Sequence, residues 1–163
     1  MMDTECEIRR ASEDDAEAIA TVLYESFADY RPLYTSAGFA ATTPAGPEVR
    51  KRIEEGPVWV GLCNDKIVGT VSVLDKGSEG SYVRGMAVLP AARGKGIGRR
   101  LLEQVEAFAH EHGYERLFLS TTPFLEPAIQ LYKGFGFRPT DEGPYDLFGT
   151  PLFTMVKSLV PFT

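Results

Sequence analysis

Residues 86–102 read MAVLPAARGKGIGRRLL. An apolar run from Met86 stops at Pro90, which cannot donate to a sheet ladder. RGKGIG at 93–98 then alternates glycine with basic and apolar residues. From Ile97 onward, Leu101, Leu102, Val105, Phe108 and Ala109 recur at helical spacing until Gly113. The stretch predicts a strand, a bare turn and an amphipathic helix. A helix N-terminus leaves unpaired N–H groups and a partial positive charge, and both favour an anion. Gly94, Gly96 and Gly98 clear side chains from those groups, while Arg93, Lys95 and Arg99 add full charges. A pyrophosphate cradle is built this way; a plain glycine turn capping a helix would use the same glycines. Two familiar phosphate loops fail on spacing. A Walker A loop needs Ser or Thr after its Gly-Lys, and Gly94-Lys95 is followed by Gly96. A dinucleotide fingerprint needs GxGxxG, and this chain has GxGxG.

The flanking sequence supplies the rest of the fold. EIRRA (7–11) reads as a first strand, and Ser12 opens a helix carrying Ile19, Leu23, Phe27 and Tyr30. TTPAGPE (42–48) is a loop, and PEVRKRIEE (47–55) a short helix ended by Gly56-Pro57. VWVGLCN and KIVGTVSVL are strands joined at Asn64-Asp65, a hairpin signal. SYVRGMAVL (81–89) and RLFLS (116–120) are strands on either side of the glycine turn and its helix. Pro123 opens a helix with Ile129, Leu131 and Tyr132; FGFRP leads into a strand, TDEGPYDLFGTP is a loop, and LFTMVKSL is the last strand. The strand–helix–strand unit demands a parallel crossover, and the hairpin before it demands antiparallel neighbours. A mixed sheet with helices on its faces satisfies both.

All 163 residues read as a single domain, 1–163, with no internal repeat or linker. Hydrophobic content of 44% and charged content of 25% are ordinary for a globular protein. No apolar run reaches the roughly 18 residues of a membrane span, so no membrane partner is expected. A formal charge of −6 argues against nucleic acid as a partner and is compatible with a cationic small substrate. MMDTECEIRR is acidic and polar rather than a secretory signal, which makes the cytoplasm the expected location. Cys6 and Cys63 show neither CxxC spacing nor a neighbouring histidine. They read as inert thiols rather than metal ligands or a disulfide framework.

Two stretches together resemble the GCN5-related N-acetyltransferase (GNAT) family. MAVLPAARGKGIGRRLL is similar to its acyl-coenzyme A signature, in which Arg93, Gly96 and Gly98 fill the pattern Arg/Gln-x-x-Gly-x-Gly/Ala. PAIQLYKGFGF (127–137) is similar to its second block, A-x-x-L-Y-x-x-x-G-F, through Ala128, Leu131, Tyr132, Gly136 and Phe137. The two lie about 35 residues apart, and the element order extends the resemblance over nearly the whole chain. It implies an α/β (α+β) fold: a mixed, mostly antiparallel sheet, its central parallel pair splayed around the cofactor, with helices on both faces. It implies acetyl-CoA as co-substrate without a metal, and direct attack by a primary amine of a small molecule or peptide in a ternary complex. The backbone of Met86, Ala87 and Val88 would pair with the pantetheine arm. Arg93, Gly94, Lys95, Gly96, Ile97, Gly98 and Arg99 would hold the pyrophosphate, and Tyr132 would protonate the leaving thiolate. The resemblance also allows a homodimer.

This chain departs from the family's pattern at two points. Many members carry an Asn three residues before the Ala of the second block, where this chain has Leu125. That side-chain contact is absent, with Thr121 or Thr122 as substitutes. Many relatives also place a Glu on the signature strand, where this chain offers Tyr82, with Glu79 at the strand's start. Glu79, the nearest acid in sequence, is expected to accept the amine's proton through water. His110 and His112 end a long helix, where a cation favours the dipole, and are not expected to be catalytic. The acceptor would lie between the first two helices and the late loop. There Tyr24, Phe27, Tyr30, Tyr34 and DEGPYDLFG offer aromatics that can stack on a cationic amine. The missing base keeps a second class open, a CoA-binding sensor or interaction module without turnover. A non-catalytic nucleotide binder is a third.

Overall fold

The computed structural model describes residues 5–143 and 145–160. β1 (Cys6–Arg10) leads through a 3-10 turn into α1 (Ala16–Phe27), followed by α2 (Ser36–Thr42) and α3 (Gly46–Glu55). β2 (Val58–Cys63), β3 (Lys66–Asp75) and β4 (Ser81–Val88) form a meander. α4 (Ile97–Glu111) crosses to β5 (Arg116–Thr121), and α5 (Glu126–Gly134) leads to β6 (Arg138–Pro139), β7 (Tyr145–Leu147) and β8 (Thr150–Ser158). The strands run in the order β1-β2-β3-β4-β5-β8-β6, with β7 paired to β8. Every pair is antiparallel except β4–β5. Asn64 and Asp65 make the β2–β3 turn with φ of 52° and 64°, a left-handed conformation these two residues tolerate.

Side-chain alternation divides the helices between the two faces. On one face the ring of Trp59 meets Phe108 of α4 edge-on at 5.8 Å, and Gly61 faces Ile97. On the other, Val58, Thr70 and Ser72 meet Ile19, Leu23 and Val49 of α1 and α3. The apolar stripe of α4 is wholly buried at Leu101, Leu102, Val105 and Ala109, as its spacing requires.

One irregularity positions the site. Thr70 pairs with Ala87, but Ser72 pairs with Arg84, so Gly85 and Met86 together face the single residue Val71. This is a β-bulge, and Gly85 adopts φ +63°, a conformation natural to glycine. β4 and β5 pair only at Ser81–Leu117 and Tyr82–Phe118. Beyond those pairs the strands separate, and the bulge lies on the part of β4 that leaves its neighbour.

Three expectations are corrected. Cys6 and Cys63 form a disulfide, because the β1–β2 register sets them directly opposite each other with Cα atoms 4.1 Å apart. Their separation of 57 residues conceals that proximity in the sequence. α2 occupies a stretch with no periodic pattern, held at its start by Thr35, whose hydroxyl accepts from the Gly38 N–H at 3.0 Å. β7 arises within the expected loop TDEGPYDLFGTP, turning into β8 through Phe148 and Gly149, both with positive φ.

Candidate active site

α4 begins at Gly96, which sits at φ +78° with no side chain capping the helix. The first bond of the turn runs from the Arg100 N–H to the Gly96 carbonyl at 3.0 Å. The N–H groups of Ile97, Gly98 and Arg99 therefore have no helical acceptor. A Cβ at Gly94 or Gly96 would meet nothing within 4 Å, so the turn presents its backbone to open space. Gly98 is bare for another reason. A Cβ there would lie 2.8 Å from Leu131 of α5, so it permits the close approach of the two helices.

A cavity of about 360 Å³ runs from this turn along the part of β4 that has left β5. Arg93, Gly94, Gly96, Ile97, Gly98 and Arg99 form its mouth, Met86, Ala87 and Val88 one wall, and Pro127, Ala128 and Leu131 the other. Lys95 is exposed in the turn but does not line the cavity. A cationic mouth rich in backbone donors, followed by a narrow apolar channel, fits a ligand with an anionic head and a thin, largely apolar arm.

A second cavity, of about 300 Å³, meets the first across Phe27, Met86, Leu125 and Ala128, which border both. Tyr132 projects into this region from α5, its ring edge-on to Phe137 at 5.8 Å. It is only 6% exposed, and this burial pushes its phenol well above the usual range, so it stays protonated. Burial raises the Tyr34 phenol as well. Arg52 of α3 and Arg84 of β4 also line this cavity, and no Asp, Glu or His does among the described residues.

The structure brings most of the expected residues together, but not all. Glu79 is exposed in the turn before β4, at the end where β4 and β5 are paired, and lines neither cavity. His110 and His112 are exposed at the end of α4. Thr121 and Thr122 are buried on the second cavity rather than on the channel from the glycine turn. Tyr30 lines the first cavity and Tyr34 the second, while Phe27 borders both. Tyr24 lines neither and packs edge-on against Phe39 at 5.8 Å. Among the described residues of the late loop only Leu147 reaches the second cavity, and Tyr145 and Phe148 are exposed. Arg52 and Arg84 were not expected. Arg52 sits among the charged residues of α3 and Arg84 within the largely buried β4, and no local signal marks either.

Known proteins are similar to this chain in sequence and in fold. The uncharacterized N-acetyltransferase YjgM of Escherichia coli strain K12 is 32% identical over 139 residues, spanning 82% of this chain and 83% of that protein. The crystal structure of PaiA N-acetyltransferase from Thermoplasma acidophilum, in complex with coenzyme A, superposes with a TM-score of 0.79. It is 19% identical, with 94% of this chain and 99% of that one covered. yncA from Salmonella typhimurium, with its cofactor acetyl-CoA, gives a TM-score of 0.73 at 23% identity over 96% of this chain and 95% of that one. The family model described as the acetyltransferase (GNAT) family matches residues 19–137, which include the glycine turn, the splayed pair and Tyr132. The chain therefore belongs to the acetyltransferase (GNAT) family.

Proposed function

We propose that this chain moves an acetyl group from acetyl-CoA to a primary amine by direct attack within a ternary complex. One observation carries the reading: the cavity with the bare helix N-terminus and the cavity with Tyr132 meet where β4 has lost its β5 partner. The N–H groups of the glycine turn, with Arg93 and Arg99, would hold the pyrophosphate. The β4 backbone pairs with β3 at Ala87 and Val88, and Met86–Val88 is open toward β5, so it can pair with the pantetheine arm as an added strand would. When bound, the acetyl thioester supplies an electrophilic carbonyl. An N–H of that same open edge is available to stabilise charge developing on the carbonyl oxygen.

Tyr132 is suited to donate a hydrogen bond to the departing sulfur, since burial keeps its hydroxyl protonated across the working pH range. Among the described residues no carboxylate or imidazole lines the acceptor cavity, so the amine gives its proton to solvent. The charges of Arg52 and Arg84 favour the neutral amine over the ammonium form. Initial rates of CoA release, with both substrates varied, test the reading. Lines that intersect are expected for a ternary complex; parallel lines would indicate a covalent acetyl-enzyme and overturn direct attack.

A further inference from the structure

We propose that the acceptor carries a carboxylate close to its amine, and that Arg52 and Arg84 anchor that carboxylate beside Gly85. The inference rests on the acetyl-transfer reading of the same cavity and names its substrate class: an amino acid. In a chain of net charge −6, this cavity collects two guanidinium groups and, among the described residues, no carboxylate. Arg52 makes no side-chain hydrogen bond or ion pair among the described residues. Its Nη1 lies 3.2 Å from where a Cβ on Gly85 would stand, so the bare bulge leaves room for the guanidinium at the cavity wall. Arg84 makes one ion pair, from Nη2 to Glu55 Oε2 at 3.4 Å, while its Nε is buried without an acceptor.

Two like charges, one of them unpaired and the other only partly so, are costly in a partly buried site without an anion between them. The planar fork of a guanidinium matches a carboxylate in a bidentate fashion. Burial and the neighbouring Arg84 charge hold Arg52 below its ordinary range, against the opposing pull of Glu48 and Glu55. Gly85 adjoins Met86, which borders both cavities, so a carboxylate held at Gly85 lies close to where the two cavities meet.

Matched acceptors provide the test. Amino acids are compared with their decarboxylated amines and carboxamides at saturating acetyl-CoA, each rate corrected for its free-amine fraction. The carboxylate-bearing partner is expected to win by about 30-fold or more in kcat/KM, as befits a charge-assisted pair. Arg52→Gln and, separately, Arg84→Gln should lower its kcat/KM by about 10- to 100-fold, mostly through KM, and narrow the ratio between matched acceptors. Equal rates for matched acceptors, or a ratio that neither variant changes, would overturn the anchor. Calorimetry on CoA-saturated protein separates the two readings. Carboxylate-dependent binding of an amino acid without any turnover would uphold the anchor and overturn acetyl transfer. Turnover of amines without carboxylate preference would overturn the anchor alone, and so would absence of amino-acid binding.

Discussion

The two cavities that meet at the β4–β5 gap are built from different parts of the chain. On the glycine-turn side the donors are backbone N–H groups of residues 94–99, contiguous in sequence. On the Tyr132 side the groups are side chains drawn from α1, α2, α3, β4, β5, α5, β7 and β8, spread from Phe27 to Leu152. Backbone recognition leaves little room for substitution, because an anion must reach N–H groups that any Cβ would screen. Side-chain recognition can be rebuilt one residue at a time. A scaffold divided in this way can hold one co-substrate constant while its acceptor changes.

The sharpest way to break this contrast is on the backbone side. Gly96→Val places a β-branched residue at φ +78° and a side chain in the open mouth of the cradle. Calorimetry should show acetyl-CoA affinity falling at least about 100-fold in a variant that still melts cooperatively. Unchanged affinity in the folded variant would remove the cradle from the site. On the side-chain side, Tyr132→Phe should leave acetyl-CoA affinity within about twofold and lower kcat by about 100-fold. Because burial raises this phenol, it keeps its proton as pH rises, so kcat should show no fall from Tyr132 between pH 8 and 10. A falling limb in that range that disappears in the Phe variant would contradict the assignment.

The same contrast explains what was legible in the sequence. Glycines at fixed spacing before a helical stripe announce a bare helix N-terminus without any knowledge of the fold, and Tyr132 sits in an equally compact block. Arg52 and Arg84 become neighbours only when α3 packs across the bulge at Gly85, which no local pattern announces. Glu79 shows how little sequence proximity says about the site. It is the acid nearest in sequence to the signature strand, yet it precedes the paired end of that strand while the gap opens at the other. The β7–β8 turn was hidden because Phe148 takes φ 49°, a left-handed conformation a bulky residue seldom adopts. The disulfide was hidden because strand register, not spacing, makes Cys6 and Cys63 partners.

Two smaller effects sharpen the boundary of the site. The disulfide ties the β1 edge of the sheet, on the far side of β2 and β3 from the gap. Cys63→Ser opens a 57-residue loop and should cost about 4 kcal/mol in urea unfolding, with acetyl-CoA affinity changed less than about twofold. Equal stability of the variant and the oxidised parent would show that the bond does not constrain the unfolded chain. Glu79→Gln should be smaller still, with kcat/KM for the amine within about twofold at both pH 7 and pH 9. A larger loss at pH 7 than at pH 9 would restore Glu79 as the proton acceptor.

The central claim, that acetyl-CoA and an amine meet across one gap, is tested most directly by product stoichiometry. Wild-type protein is incubated with acetyl-CoA and an amine panel, and free CoA and acetylated amine are quantified together by mass spectrometry. The account predicts one acetylated amine for each CoA released, with release dependent on the amine. CoA release that is independent of every amine, or no release while acetyl-CoA binds tightly, would contradict it.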